Sequence, residues 1–306
     1  MAGVLFLALA ATASAQVVVT VDGDTANATI SLTDNAGHVY EADVTIVFDT
    51  PQNLTPQALN LTAEIVDPAA VDPRLKNDGI TTGLNANCLV PLLGLQCPTV
   101  DPDFPVLITV EPIDIPWLFR DGFDAPLRAL AGSDGFSFLN TYQIDVHTHD
   151  LPYVEGSSYR LFKAPVGGDF HDITTDVLPG SMRARGRGGA FSQFVVVSDP
   201  RPGLTAALLK LAELNVRILA ATISDGLRLD LLALVAQIDA LIVVDVLGAI
   251  DLIDQLIALI DADAGTSIPN VWTARRDVVN DAGEMGELAH SLRFSATRAL
   301  GGSAHP

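Results

Sequence analysis

From residue 16 to about residue 200 the chain alternates apolar and polar positions with a period of two. The stretches QVVVTVDGD, NATISLTDNAG, YEADVTIVFD, PVLITVEP, TYQIDVHTH, SSYRLFKAP, GSMRARGRG and FSQFVVVSD are rich in β-branched residues. Turn clusters part them, among them Asp22-Gly23-Asp24, Asp34-Asn35-Ala36-Gly37 and Gly156-Ser157-Ser158. Short strands with one apolar face, divided by such turns, predict an antiparallel β-sandwich of the immunoglobulin-like kind. The clearest hairpin sets Ile30 and Leu32 on one side of a turn and Val44 and Ile46 on the other. Residues 67–103 break the rhythm with repeated Asp-Pro and predict a long decorated loop.

After Pro200-Arg201-Pro202-Gly203 the period changes. Leu204, Leu208, Leu211, Leu214 and Ile218 follow a three-and-four spacing. So do Leu227, Leu231, Leu234, Ile238 and Leu241, and then Ile250, Ile253, Ile257 and Ile260. Residues 201–300 therefore read as a helical bundle, and 301–306 as a disordered tail. The stretch 227–260 is apolar enough to raise a membrane span, but Asp230, Asp239, Asp245, Asp251 and Asp254 recur through it. Each would cost on the order of 2.5–3.5 kcal/mol at a bilayer centre, so the helices are expected to pack on one another instead. Asp245 is placed as an N-cap and Asp263-Ala264-Gly265-Thr266 as a stop. Trp272, with Arg275 and Arg276, is placed on the penultimate helix and packed against the bundle.

The opening MAGVLFLALAATASAQVVV adds a location. Its apolar run followed by Ala13-Ser14-Ala15 reads as a signal peptide over 1–15, cleaved before Gln16, although no Lys or Arg follows Met1. The run is too short to span about 30 Å of hydrocarbon. The mature chain is thus expected in the periplasm or outside the cell, with no transmembrane segment. Its net charge is −20. That balance argues against nucleic acid and anionic membrane as partners, since both require Lys and Arg to displace counterions. The two cysteines, Cys88 and Cys97, bracket LVPLLGLQ. In an oxidising compartment they read as one disulfide, stabilising by roughly 2–3 kcal/mol. A redox or metal pair would want a C-x-x-C spacing or a nearby third ligand.

Two stretches resemble known proteins. YRLFKAPVGGDFHDIT with GSMRARGRGGAFSQFVVVSD looks like the closing strands of immunoglobulin-like modules in secreted bacterial proteins. LLALVAQIDALIVVDVLGAIDLIDQLIALIDADAGTSI is similar to the helical hairpin appended to many bacterial exported proteins, with Val244-Asp245 where Gly-Asn is more frequent. Together they resemble an uncharacterised family of secreted bacterial proteins. The resemblance implies a fold and a location, and carries no catalytic residue.

Candidate chemistry concentrates in the β part. Residues two apart on a strand face the same way, about 6.6 Å apart. His147 and His149 therefore project together with Asp145, while Ile144, Val146 and Thr148 face the other way. Two imidazoles at that spacing can share a zinc ion, with His171 and Asp169 as further ligands if their loop folds over. The competing reading is a polar strand face wetted by solvent. Arg183, Arg185 and Arg187 form a basic row suited to a carboxylate, sulfate or acidic sugar, or else paired with acidic neighbours across the sheet. Trp117, Phe119 and Phe123 stand between prolines, where they would stack on a sugar ring or seal the sandwich end. Asp22, Asp24 and Asp34 offer calcium a weak site outside any EF-hand pattern.

The chain shows no G-x-S-x-G, H-E-x-x-H or P-loop motif. The leading expectation is an exported non-catalytic protein that binds, adheres or scaffolds through an unknown protein or glycan partner, without a cofactor. The alternatives are a metal-dependent enzyme using His147 and His149, with zinc or calcium, and a carbohydrate-binding module.

Overall fold

The alternating half folds as the period requires. The computed structural model describes residues 14–76, 97–112, 135–154, 156–179 and 181–301. The expected hairpin joins β3 (Thr25–Thr33) to β4 (Val39–Gln52), pairing Ile30 with Ala42 and Leu32 with Tyr40. The Asp34 carboxylate closes its turn by accepting the amides of Ala36 and His38, each at 2.8 Å. Those donors hold the carboxyl below its ordinary value.

Two seven-stranded sheets result, all their pairs antiparallel. The first runs β1 (Ser14–Gln16), β5 (Leu61–Ile65), β7 (Val106–Val110), β13 (Gln193–Ser198), β9 (Tyr159–Ala164) and β10 (His171–Asp172), with β6 (Thr99–Val100) also on β13. The second runs β11 (Thr174–Leu178), β12 (Ser181–Gly188), β8 (Ser137–Pro152), β4, β3 and β2 (Val18–Asp22). One apolar cluster lies between them, with Ile30, Ile46, Ile144 and Val146 from the second sheet and Leu61, Ile108, Leu161 and Phe194 from the first. Tyr142 stacks on Phe191 at 4.7 Å and donates its hydroxyl to the Ala190 carbonyl at 2.8 Å.

The 67–103 segment is more ordered than expected at its start. A helix, α2 (Pro68–Lys76), follows the four-residue α1 (Pro56–Leu59) and lays Val71 and Leu75 on the outer face of the first sheet. Asp67 accepts the Ala69 amide at 2.9 Å, and Pro68 takes the first helical position. Asp-Pro here is a helix start. Cys88 lies outside the described residues, so the expected Cys88–Cys97 bridge lies outside them too.

The helical half contains α3 (Gly203–Ala220), α4 (Asp225–Leu241), α5 (Val246–Asp263) and α6 (Asp281–Ala299). Leu211, Leu214, Ile218, Leu231, Ile238, Ile253, Ile257 and Ile260 share a second core. Asp245 caps α5 by accepting the Gly248 amide at 3.0 Å. None of the described helices is long and apolar enough to cross a membrane.

Between α5 and α6 the chain returns to the sheets. Strand β14 (Val271–Thr273) pairs with β8, setting Trp272 opposite Phe138 and stacking their rings at 5.3 Å. Trp272 is therefore on a strand in the inter-sheet core and not on a helix. Pro269 and the β-branched Val271 and Thr273 favour extended backbone there.

Helix α6 is buried on nearly every side, although its sequence is short on large apolar residues. Small residues let it approach other backbone closely. A Cβ on Gly283 would collide with the Asn140 carbonyl of β8. The seam between the halves is charged. The Glu287 carboxylate of α6 meets Lys163, the His171 imidazole at 2.6 Å and the Gly189 amide at 2.9 Å. Lys210 of α3 reaches Asp172 at 2.8 Å and the Ser291 carbonyl at 2.9 Å. Burial pushes the Glu287 carboxyl up, but Lys163 and His171 outweigh it and hold it at about 2. Burial likewise pushes Asp172 up, and Lys210 and the Thr174 side chain bring it to about 2. Burial lowers His171, and Glu213 with Glu287 overcomes it, so the imidazole titrates above its ordinary value.

Glu287→Ala would leave Lys163 and His171 without their shared carboxylate. Urea unfolding at pH 7 is expected to show a loss of about 3–5 kcal/mol, the usual cost of breaking a buried pair. A loss below about 1 kcal/mol would show that the seam is not stabilised through this carboxylate. The pH dependence follows from the shifts. The two depressed carboxylates stabilise above their ordinary values, 4.5 and 3.8, and lose that contribution as pH falls through about 2. His171 stabilises fully below its ordinary 6.5 and loses its contribution as pH rises through its elevated value. His290, brought down to about 4 chiefly by burial, adds a contribution that grows as pH rises from about 4 to 6.5, so thermal midpoints should climb to about pH 6.5 and fall as His171 loses its proton above it; a midpoint that falls between about pH 4.5 and 6.5 would contradict the assignment.

Candidate functional site

The open face of the second sheet carries the predicted histidines. Strand β8 is central, with β4 on one side and β12 on the other. Val146 and Thr148 are buried, and His147 and His149 point outward as the alternation requires. Their rings lie 4.9 Å apart.

The register adds a residue that sequence reasoning missed. Asp43 of β4 sits directly opposite His147. Its Oδ2 lies 3.2 Å from His149 Nε2 and 3.9 Å from His147 Nδ1. Its Oδ1 accepts the Thr29 hydroxyl at 2.9 Å, which aims Oδ2 at the two rings. Among the described residues, Asp43, His147 and His149 form the group able to set three donors around one ion. Glu41, two residues along β4, brings Oε2 to 4.0 Å from His149 Nδ1. The side chains are partly wet: 23% exposure for His147, 43% for His149 and 48% for Asp43.

The arginine row borders this group. Arg183 is paired in register with His147, and Arg185 with Asp145. Arg185 meets the Asp145 carboxylate at 3.0 Å and Arg183 approaches it at 3.6 Å. These two arginines pair across the sheet with an acidic neighbour. Arg187 turns to the Thr141 hydroxyl at 3.3 Å. It lines a cavity of about 450 Å³ with Asp261 and His290, whose imidazole burial, then Arg187 and Arg293, brings down to about 4. Arg183 also has Nη2 3.5 Å from His147 Nδ1. Burial, then Arg183, then His149 lowers the His147 imidazole below its ordinary value. Its Nε2 contacts the Ser181 hydroxyl, which fixes the ring.

The other expected ligands lie elsewhere. His171 is on β10 of the first sheet and is bound to Glu287, so it cannot join His147 and His149 on the second. Asp169 acts on Arg74, below the outer face of the first sheet. Both lie just before the chain crosses from β10 to β11, where it changes sheets. For calcium, Asp34 has its carboxylate committed to its own turn, and Asp24 accepts from Thr25 at 3.0 Å. Trp117, Phe119 and Phe123 lie outside the described residues.

Zinc suits this donor set chemically. A tetrahedral ion with bonds of about 2.0–2.1 Å spaces its donors about 3.3 Å apart. The 3.2 Å pair already meets that spacing, and the 3.9 Å pair is within about 0.6 Å of it. Arg183 would then move fully onto Asp145.

The protein is thus a two-sheet chain with a C-terminal helical region and a histidine–carboxylate cluster on an open strand face. It belongs to a family of unknown function, DUF6689, which matches residues 3–299. No curated protein and no solved structure matches it.

Proposed function

We propose that this chain is an exported, non-catalytic binding protein that holds a divalent transition metal, zinc in the first instance, through Asp43, His147 and His149. The observation that carries this reading is the convergence of the three donors across two adjacent strands, with Thr29 orienting the carboxylate. The exposed position favours binding over catalysis, since catalysis gains from a site that excludes water. The two sheets around one core support an immunoglobulin-like sandwich. On this reading a bound ion, with Glu41 beside it, offers an anchor for a protein or glycan partner. A Cys88–Cys97 disulfide suits the same oxidising location.

The enzyme reading has one observation in its favour. Three protein ligands leave a fourth position for water, as catalytic zinc sites do. Hydrolysis of an activated ester by the zinc-loaded protein, lost in His149→Ala, would move the assignment to an enzyme.

The metal is tested by thermal unfolding of residues 16–306 after EDTA treatment, then with added zinc. At a hundredfold excess over the dissociation constant, zinc is expected to stabilise by about 2.7 kcal/mol. That corresponds to a midpoint increase of roughly 5 °C or more. Asp43→Asn and His147→Ala/His149→Ala should abolish the response. Coincident curves for the native protein with and without zinc would end the metal reading.

Export is tested separately, by sequencing the N terminus of the protein recovered outside the cytoplasm. The expected first residue is Gln16. An intact Met1 on protein retained in the cytoplasm would remove the export reading.

A further inference from the structure

A second concavity lies far from the histidine face in chemistry and in its place in the fold. It opens at the seam between the sheets and the helices and encloses about 380 Å³. Ligand pockets commonly hold about 300–1,000 Å³. Phe191, Trp272, Val278, Val279 and Leu288 supply its apolar wall, and charged side chains of β9, β10, α3 and α6 supply the rest.

The charged groups are unequally used. Each of the three carboxylates in the cleft is engaged. Glu287 takes Lys163, His171 and the Gly189 amide. Glu284 lies 2.6 Å from the Arg217 Nε, an ion pair without hydrogen-bond geometry. Glu213 also has a partner, and acts on His171. The donors are not exhausted. Arg217 spends Nη2 on Asp281 at 2.5 Å, and its Nη1 has no partner among the described residues. Arg276 makes only a loose ion pair with Glu111, at 3.6 Å and with both side chains about half exposed, of a kind that holds a guanidinium weakly. Beyond Glu287, Lys163 has among the described residues the Ala190 carbonyl, at 3.5 Å. The complement of such a lining is a ligand that brings acceptors at one end and apolar surface at the other.

The rim supports the same conclusion. Arg276 holds φ at +55°, a left-handed conformation that residues other than glycine adopt at a cost. The strained turn sets the Arg276 side chain and the half-exposed Val278 and Val279 along one edge of the cleft. Such strain clusters at ligand clamps.

We propose that this seam cleft binds a small monocarboxylate with an aromatic or branched apolar body, its carboxylate taken by Arg217 and Arg276 and its body lying against Phe191, Trp272 and Val279. This site is independent of the metal on the second sheet, and either can fail without the other.

The test uses the full mature chain and two probes. The first, 1-anilinonaphthalene-8-sulfonate, carries one anionic head on an aromatic body. It is expected to bind with one equivalent and a blue-shifted emission. The second, 3-phenylpropionate, should displace it, and 3-phenylpropan-1-ol should compete at least about tenfold more weakly, as expected when a charged hydrogen bond worth about 1.4 kcal/mol or more is lost. Val279 is 53% exposed, so Val279→Asp should fold normally and weaken both anions about tenfold or more, by burying a like charge beside them. Arg276→Glu should do the same. Leu229→Asp, at a 67% exposed position on α4, should leave binding unchanged. Absence of binding, equal competition by the alcohol, or equal loss in Leu229→Asp and Val279→Asp would each overturn the proposal. Circular dichroism and a thermal midpoint on each variant separate loss of the cleft from loss of the fold.

Discussion

One buried carboxylate ties the two halves together. Glu287 sits on α6 with its side chain 3% exposed, and its partners come from β9, β10 and the Gly189 backbone. A lone carboxylate in such surroundings would stay neutral. Here Lys163 and His171 compensate its desolvation, and the arrangement is stable only while sheet and helix are in contact. The same logic holds for Lys210 and Asp172. Such pairs add little net stability compared with apolar residues of equal volume, and they fix position instead. The charged seam therefore specifies how α6 docks, while the small residues of α6 allow its close approach. The cleft beside Glu287 exists because these groups hold the halves at a set separation.

Charge plays a different part on the open face. Asp43, Asp145, His147, Arg183 and Arg185 lie in water or near it, and each ion pair there is individually weak. Weak pairing is what lets an arginine leave a histidine when a stronger ligand arrives. The strand backbone, in contrast, is fixed by neighbours on both sides, because β8 is paired to β4 and β12 along most of its length. The site thus combines a rigid base with movable charges.

What could be read from the chain was whatever depends on near neighbours. The β3–β4 hairpin, the outward pair His147 and His149, the Asp245 cap and the apolar stripes of α3 to α5 all rest on local spacing, and all are present. What escaped depends on distant pairing. Asp43 stands beside the histidines only because β4 and β8 are in a register set by about a hundred intervening residues, which no local pattern encodes. His171 was drawn to the same site by residue type alone, yet its strand belongs to the other sheet. Trp272 read as helical because its flanks are helices, although Pro269 and its β-branched neighbours carried the contrary signal. For α2, Asp67-Pro68 interrupts the strand period, and the same two residues make a good helix start. Helix α6 falls inside the helical reading of 201–300, but no apolar stripe marks its bounds, because glycine, alanine and serine make up much of its buried surface.

Composition gains meaning from this placement. The chain has 17 Lys and Arg against 37 Asp and Glu. Arg160, Lys163, Arg201 and Lys210 are buried, so part of that small cationic supply is spent inside. Arg201 grips Asp199 at 2.7 Å, and Arg160 lies over the Phe294 ring at 5.2 Å. These buried cations are matched by buried carboxylates, Glu287, Asp172 and Asp199 among them, so the surface keeps the acidic excess of the whole chain, and a field of that sign raises the local concentration of dications and repels anions. The histidine face is open to that field. The seam cleft is partly shielded from it by the donors it keeps unspent. One acidic chain can therefore present a site for cations on a surface face where Asp145 holds Arg183 and Arg185, and a site for a carboxylate in its interior seam, where Arg217 and Arg276 face the cleft.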